Sequence, residues 1–186
     1  MIRIISGSQK GKKLGVADKV TKALTDRIKT SVFDLLKDFI PKSKVLDLFG
    51  GSGNFAIEAL SRGAKNATIV ELNIKAIDII KNNILITNFF NNTKIVNRDA
   101  FKYAKSVKGR ESFDIIFLDP PFTFTMKEKQ HLLSLSIDLL DKNNPDALLV
   151  FRYPKREIHA STKGVEVYAK DYGISKVSFF KKTQSQ

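Results

Sequence analysis

The sequence predicts an α/β fold: a mostly parallel seven-stranded sheet flanked by helices, preceded by a small N-terminal β-hairpin. Three observations predict it. Short runs of consecutive apolar residues alternate with segments of helical period, the pattern of a parallel sheet covered on both faces. The first run, 45–49 (V-L-D-L-F), leads straight into the glycine-rich turn 50–53 and a helix. The last two runs, 165–169 and 176–180, are joined through K-D-Y-G-I and read as a closing hairpin.

The elements follow in order. Residues 2–6 (I-R-I-I-S) predict a short strand, G-S-Q-K-G (7–11) a basic turn, and K-K-L-G-V (12–16) a return strand. A helix is expected from Thr25, a good N-cap followed by Asp26, with apolar residues at Ile28, Val32, Leu35 and Leu36. Pro41 closes that unit. After the first long strand, 54–62 reads as helix with Gly63 as its stop. Strand 67–72, helix 74–86, strand 94–97 and helix 99–107 come next, then strand 113–118, helix 126–140 and strand 147–152. The boundary is set after residue 24: a basic hairpin extension (1–24) and a main domain (25–186).

Composition narrows the function. The chain has 186 residues, enough for one domain with a substantial core. No apolar run approaches the about 20 residues of a membrane-spanning helix, and the N-terminus lacks the pattern of a secretory leader. There is no cysteine, so disulfides and thiolate zinc sites are excluded and a cytoplasmic location is expected. His131 and His159 have no companion ligands nearby in sequence, and no metal is expected. Lys and Arg number 32 against 19 Asp and Glu, a net charge of +13. Such a surplus suits a polyanionic partner or simply aids solubility, and charge alone does not choose. The excess is strongest at the start, where residues 1–30 hold eight Lys/Arg and two Asp.

D-L-F-G-G-S-G (47–53) is a strand, a turn and a helix start. Its glycines permit close approach of a ligand, and the helix end offers free N–H groups. Glu71 ends the second long strand, 18 residues beyond Gly53, where a carboxylate can accept from both hydroxyls of a ribose. Asp99 follows the third, where an adenine edge would lie. Capping of the following helix is the competing reading for Glu71 and Asp99. Asp47 lies inside a strand, where a carboxylate is rarely buried without a reason. An acid so close to the turn suits an ammonium group better than a diphosphate, which favours S-adenosylmethionine over a dinucleotide.

D-P-P-F (119–122) ends the fourth long strand. An exocyclic amine on a base is a poor nucleophile, because its lone pair is delocalised into the ring. The Asp119 carboxylate and a backbone carbonyl freed by Pro120-Pro121 can hold the amine with its lone pair toward a methyl donor. The prolines fix φ and stiffen the loop. Phe122 offers a face for an extruded base. In isolation the motif reads rather as a plain strand end with a core ring.

R-I-I-S-G…K-G-K-K-L (3–14), T-D-R-I-K-T-S-V-F (25–33), the glycine turn, E-A-L-S-R-G-A (58–64), F-L-D-P-P-F (117–122) and the tail Y-G-I-S-K-V-S-F-F (172–180) resemble the RsmD family over essentially the whole chain. The resemblance implies a Rossmann-like class I methyltransferase that uses S-adenosyl-L-methionine to methylate N2 of a guanine in 16S ribosomal RNA. It implies cofactor contacts from Asp47, Phe49, Gly50, Gly51, Ser52, Gly53, Glu71, Leu72, Asp99 and Ala100, with Thr25 and Arg27 near the donor. Asp119, Pro120, Pro121 and Phe122 would carry the chemistry. Arg3, Lys10, Lys12 and Lys13 would grip RNA backbone, on the small ribosomal subunit or an assembly intermediate, with the protein acting as a monomer and no membrane involved. The chain departs from the family pattern at Lys22-Ala23-Leu24, at Gly50, where alanine is common, and at Phe151-Arg152-Tyr153, where an acid often stands. A DNA adenine or cytosine amino methyltransferase, a non-catalytic RNA-binding assembly factor and a nicotinamide oxidoreductase remain the other readings.

Overall fold

A computed structural model of the chain describes residues 2–16, 26–141, 143–156 and 164–182. Two compact units make it up, residues 1–100 and 101–186. The seven longer strands form one sheet in the order β5-β4-β3-β6-β7-β9-β8, and a two-stranded sheet precedes it.

In the first unit, β1 (Ile2–Arg3) pairs antiparallel with β2 (Lys13–Leu14), with Ile2 opposite Leu14 and Arg3 opposite Lys13. The regular ladder is shorter than the expected 2–6 and 12–16. Ile4 still donates to the Lys12 carbonyl, and from Ile5 on the N–H groups turn to helix α2 instead, as described below. α1 (Asp26–Leu35) follows, then β3 (Lys44–Asp47), α2 (Asn54–Ser61), β4 (Asn66–Glu71), α3 (Ile74–Thr87), a short 3-10 turn at Phe90–Asn92, β5 (Thr93–Asn97), and α4 (Ala100–Val107), which crosses into the second unit. β3 pairs parallel with β4, and β4 with β5. Val45, Leu46, Ile69 and Val70 of the strands are fully buried with Ile57 and Ile80 of the helices, as apolar runs covered on both faces require. β3 stops at Asp47, two residues short of the expected strand end, because Leu48 and Phe49 already belong to the bend into the glycine turn.

The second unit contains β6 (Ile115–Leu118), α5 (Met126–Ile137), β7 (Leu148–Pro154), β8 (Gly164–Tyr172) and β9 (Ser175–Lys182). β6 and β7 are parallel; β7–β9 and β9–β8 are antiparallel, so the tail is the expected hairpin. β8 outruns its apolar run because its pairing with β9 continues to Tyr172, opposite Ser175, with a register shift between Glu166 and Tyr168. The helix expected over 126–140 ends at Ile137, because Leu140 bridges to Phe113. That same bridge takes Phe113 out of the regular strand. Among the described residues no helix is long and apolar enough to cross a membrane.

Candidate functional site

The glycine turn is built by its neighbours. Gly51 (φ 55°) and Gly53 (φ 75°) both sit in the left-handed region, which side chains other than glycine strain to reach. The Gly53 N–H donates to the Gly50 carbonyl (2.6 Å) and the Gly50 N–H to the Val70 carbonyl of β4 (3.0 Å). Gly50 has ordinary φ but no room: a Cβ there would run into Ile69 Cγ2 and press on Ile80 Cδ1. The family's alanine is therefore excluded here by two isoleucines. Around Gly51 the space is open, with only the Phe49 carbonyl as near as 4.0 Å to an added Cβ.

Glu71 faces this turn. Its Oε2 accepts the Gly51 N–H (2.8 Å) and its Oε1 the Asn73 N–H (2.8 Å). Helix α3 is capped by Asn73, whose side chain accepts from the N–H groups of Lys75 and Ala76. Asn73 and not Glu71 is the N-cap; Glu71 braces that cap residue with one oxygen and reaches across to the turn with the other. Each oxygen keeps a second lone pair, enough for a diol. Asp47 is buried at the end of β3; its Oδ2 makes no hydrogen bond, though the side chain has other interactions. Asp99 is half-buried immediately before α4, Ala100 is buried as the first residue of that helix, and Leu72 is exposed. Phe49 and Ser52 are half-buried in the turn region. Thr25 and the Lys22-Ala23-Leu24 segment lie outside the described residues, while Arg27 falls in the first turn of α1.

Two polar hubs escaped the sequence reading. Asn83 is buried in α3 and binds Gly15 as a strand would, accepting its N–H (2.8 Å) and donating to its carbonyl (3.0 Å). The same amide donates to the Ser52 carbonyl (2.8 Å), tying the end of the N-terminal hairpin to the glycine turn. The signal was there: Asn83 falls on the apolar stripe of α3 between Ile80 and Thr87. The second hub is Glu58 in α2. Its oxygens accept the N–H groups of Ile5 (2.8 Å) and Ser6 (3.0 Å), pair with Arg62 (2.8 Å) and face the Lys29 ammonium (3.1 Å). Lys29 and Glu58 are both completely buried. Ser61 completes the anchorage, accepting the Ser8 N–H on its carbonyl and the Gln9 N–H on its hydroxyl.

The hairpin thus has an apolar side and a basic side. Ile2, Ile4 and Leu14 are buried, whereas Arg3, Lys10, Lys12 and Lys13 are exposed. Arg3 stands directly opposite Lys13 in the ladder. Lys12 is partly committed, donating to the Ile86 carbonyl at the end of α3 (2.7 Å).

In the second unit, Asp119 and Pro120 directly follow β6. Arg152 of β7 lies beside them, since the β6–β7 register sets Leu118 against Phe151. Its Nε donates to Asp119 Oδ1 (2.7 Å), and its guanidinium covers the Phe122 ring at 5.0 Å from the centroid. Burial raises the pKa of Asp119 above the ordinary carboxylate value, and the charge and hydrogen bond of Arg152 partly offset this. Some of the carboxylate still reaches the surface, with 22% of the side chain exposed. Phe122 is exposed, not a core ring. The loop is held at its far end too: the Phe124 N–H donates to the Pro121 carbonyl (3.0 Å), the buried Lys129 reaches the Phe122 carbonyl (3.4 Å), and Thr125 and Glu128 form a capping box that starts α5.

The family model described as Conserved hypothetical protein 95, that of RsmD, matches residues 2–181. The chain belongs to the RsmD family. A Bacillus subtilis protein provisionally named an rRNA methyltransferase, YlbH, is 33% identical over 97% of this chain and 99% of its own length. Ribosomal RNA small subunit methyltransferase D of Haemophilus influenzae is 35% identical over 80% of this chain and 76% of its own. Among solved structures, an Escherichia coli protein provisionally described as a methyltransferase, yhhF, superimposes with a TM-score of 0.80 at 27% identity, covering 99% of both chains. The RsmD-family fold and the mostly parallel sheet expected from the sequence are those observed.

Proposed function

We propose that this chain transfers a methyl group from S-adenosyl-L-methionine to the exocyclic N2 amino group of a guanine in 16S ribosomal RNA. The observation that carries the reading is the end of β6, where Asp119 and the exposed Phe122 ring flank a proline pair in a loop fastened at both ends. Family membership and the name of the H. influenzae relative support ribosomal RNA of the small subunit as the substrate, and hence a cytoplasmic site of action.

The residues of the first unit fit the cofactor. Glu71 already holds the Gly51 N–H, so a diphosphate at this turn would meet a carboxylate where it needs donors. A zwitterion without phosphate meets no such conflict. Glu71 would take the ribose hydroxyls on its remaining lone pairs, Asp47 the ammonium, and Asp99 with Ala100 the adenine edge, with Phe49, Gly50, Ser52, Gly53 and Leu72 shaping the walls. Thr25 and Arg27 would stand on the donor side. The cofactor supplies an electrophilic methyl on a sulfonium.

The residues of the second unit handle the amine. Phe122 stacks the extruded base. The Asp119 carboxylate and the Pro120 carbonyl would accept the two N–H groups and leave the nitrogen lone pair free for a methyl donor; the Pro121 and Phe122 carbonyls are occupied elsewhere. As the N–C bond forms the S–C bond breaks, and one amine proton leaves by way of Asp119 to solvent. Residues 1–24 serve as the RNA-gripping extension, with Arg3, Lys10, Lys12 and Lys13 toward phosphates.

The test is methyl incorporation into small-subunit RNA together with calorimetry of the cofactor. Asp119→Ala is expected to bind S-adenosylmethionine as the wild type does and to lose methyl transfer. Near-normal turnover by that variant would remove Asp119 from the chemistry.

A further inference from the structure

Arg152 makes the two contacts that the proposed function assigns to the target base. One is an N–H donated to the Asp119 carboxylate at 2.7 Å; the other is a flat, electron-poor group laid over Phe122 at 5.0 Å. A guanidinium is planar and carries only donors. The N1–C2–N2 edge of guanine is the same arrangement, two N–H-bearing nitrogens on one carbon. One ring face and one carboxylate oxygen cannot serve both groups at once. Adenine differs: beside its amino group lies N1, an acceptor, which a carboxylate repels.

We propose that Arg152 is an internal placeholder for the target guanine, holding Asp119 and Phe122 in the geometry of the bound base and leaving when that base enters. This rests on the methyltransferase reading above and deepens it, because it makes the site selective for a donor–donor edge. The guanidinium, once displaced, is next to a polyanion and passes from carboxylate to phosphate without losing a partner of opposite charge. The family pattern often carries an acid after the fifth long strand, where this chain has Phe151-Arg152-Tyr153.

Arg152→Met keeps the aliphatic stem and removes the guanidinium. With the competitor gone, KM for the RNA is expected to fall by about fivefold, since an occupied site lowers apparent affinity in proportion to its occupancy. Millimolar guanidinium chloride, matched with sodium chloride for ionic strength, is expected to inhibit the variant competitively with RNA and to leave the wild type unaffected. Adenosine-only RNA of the same length is expected to compete only through its backbone, and equally with the wild type and the variant. Restoration of turnover by guanidinium, or indifference of both proteins to it, overturns the proposal. Arg152→Ala gives the same comparison if the methionine variant does not fold. A wild type that methylates no guanine overturns the proposed function instead. The placeholder is then decided by titrating guanidinium into Arg152→Met and following the Asp119 carboxyl carbon resonance, which moves if the vacated contacts accept the ion and stays if they do not.

Discussion

Arg152 and Asp119 are 33 positions apart in the chain and one hydrogen bond apart in the fold, with Nε on Oδ1 at 2.7 Å. The parallel register of β6 and β7 makes them neighbours. Their relationship sets the ionisation of the carboxylate that the proposed chemistry depends on.

That dependence has a direction in pH. Asp119 can take up the departing amine proton only when ionised. Burial pushes its pKa upward, and Arg152 restrains the rise. The ratio kcat/KM, which reports the free enzyme, should therefore climb with pH through a value above the ordinary carboxylate range. Arg152→Met removes the restraint, so this acidic limb moves to higher pH. The limb of kcat, which reports the bound complex, should stay in place, because the cation has left by then. A pH–rate series on both proteins checks this, and limbs that move together would put Arg152 beside Asp119 throughout turnover.

Glu71 is expected to govern cofactor affinity. Glu71→Gln replaces one charged acceptor by an amide that cannot accept from both Gly51 and Asn73. Hydrogen bonds to charged groups are worth about 1.5–3 kcal/mol, so S-adenosylmethionine binding should weaken by roughly ten- to a hundredfold. Isothermal titration measures it, and unchanged affinity would place the ribose elsewhere.

The exposed lysines of the hairpin should register in the salt dependence of RNA binding. Replacing Lys10 and Lys13 by alanine removes two phosphate contacts, and the slope of log K against log salt should shrink by roughly 1.5. Cofactor affinity should not change. Filter binding across a salt series distinguishes this from a general loss of folding.

The buried pair Lys29–Glu58 should behave as a structural lock. Removing Lys29 takes away one of the two cations on the buried Glu58 carboxylate and leaves Arg62 as the other, so the cost should lie below the about 3–5 kcal/mol of a fully broken buried pair. Lys29→Met should lower the urea midpoint accordingly and speed hydrogen exchange at Ile5 and Ser6, whose N–H groups Glu58 holds. Lys29→Met combined with Glu58→Gln should recover part of the loss.

Much of this site was legible in sequence because its signals are local. A strand, a left-handed glycine pair and a helix start are adjacent in D-L-F-G-G-S-G, and acids at strand ends reveal themselves by position alone. The proline pair likewise announces a stiff loop. What was not legible depends on register or on packing between distant segments. Arg152 stood out only as a departure from the family pattern; its partner became visible once Leu118 was set against Phe151. Glu58 and Lys29 sit in segments whose apolar period is unbroken by them, and nothing in either segment says that the two charges meet. Gly50 read as a departure of no evident cause until the bulk of Ile69 and Ile80 supplied one.

The anchorage of the hairpin has a geometric consequence. Its loop is fastened to Glu58 and Ser61 near the end of α2, and the glycine turn lies at the start of the same helix. Glu58 and Ser61 lie five and eight residues beyond Gly53, about 7 and about 12 Å along the helix. On the proposed function, the segment assigned to the RNA backbone and the turn assigned to the cofactor therefore ride on one helix and move as a single piece.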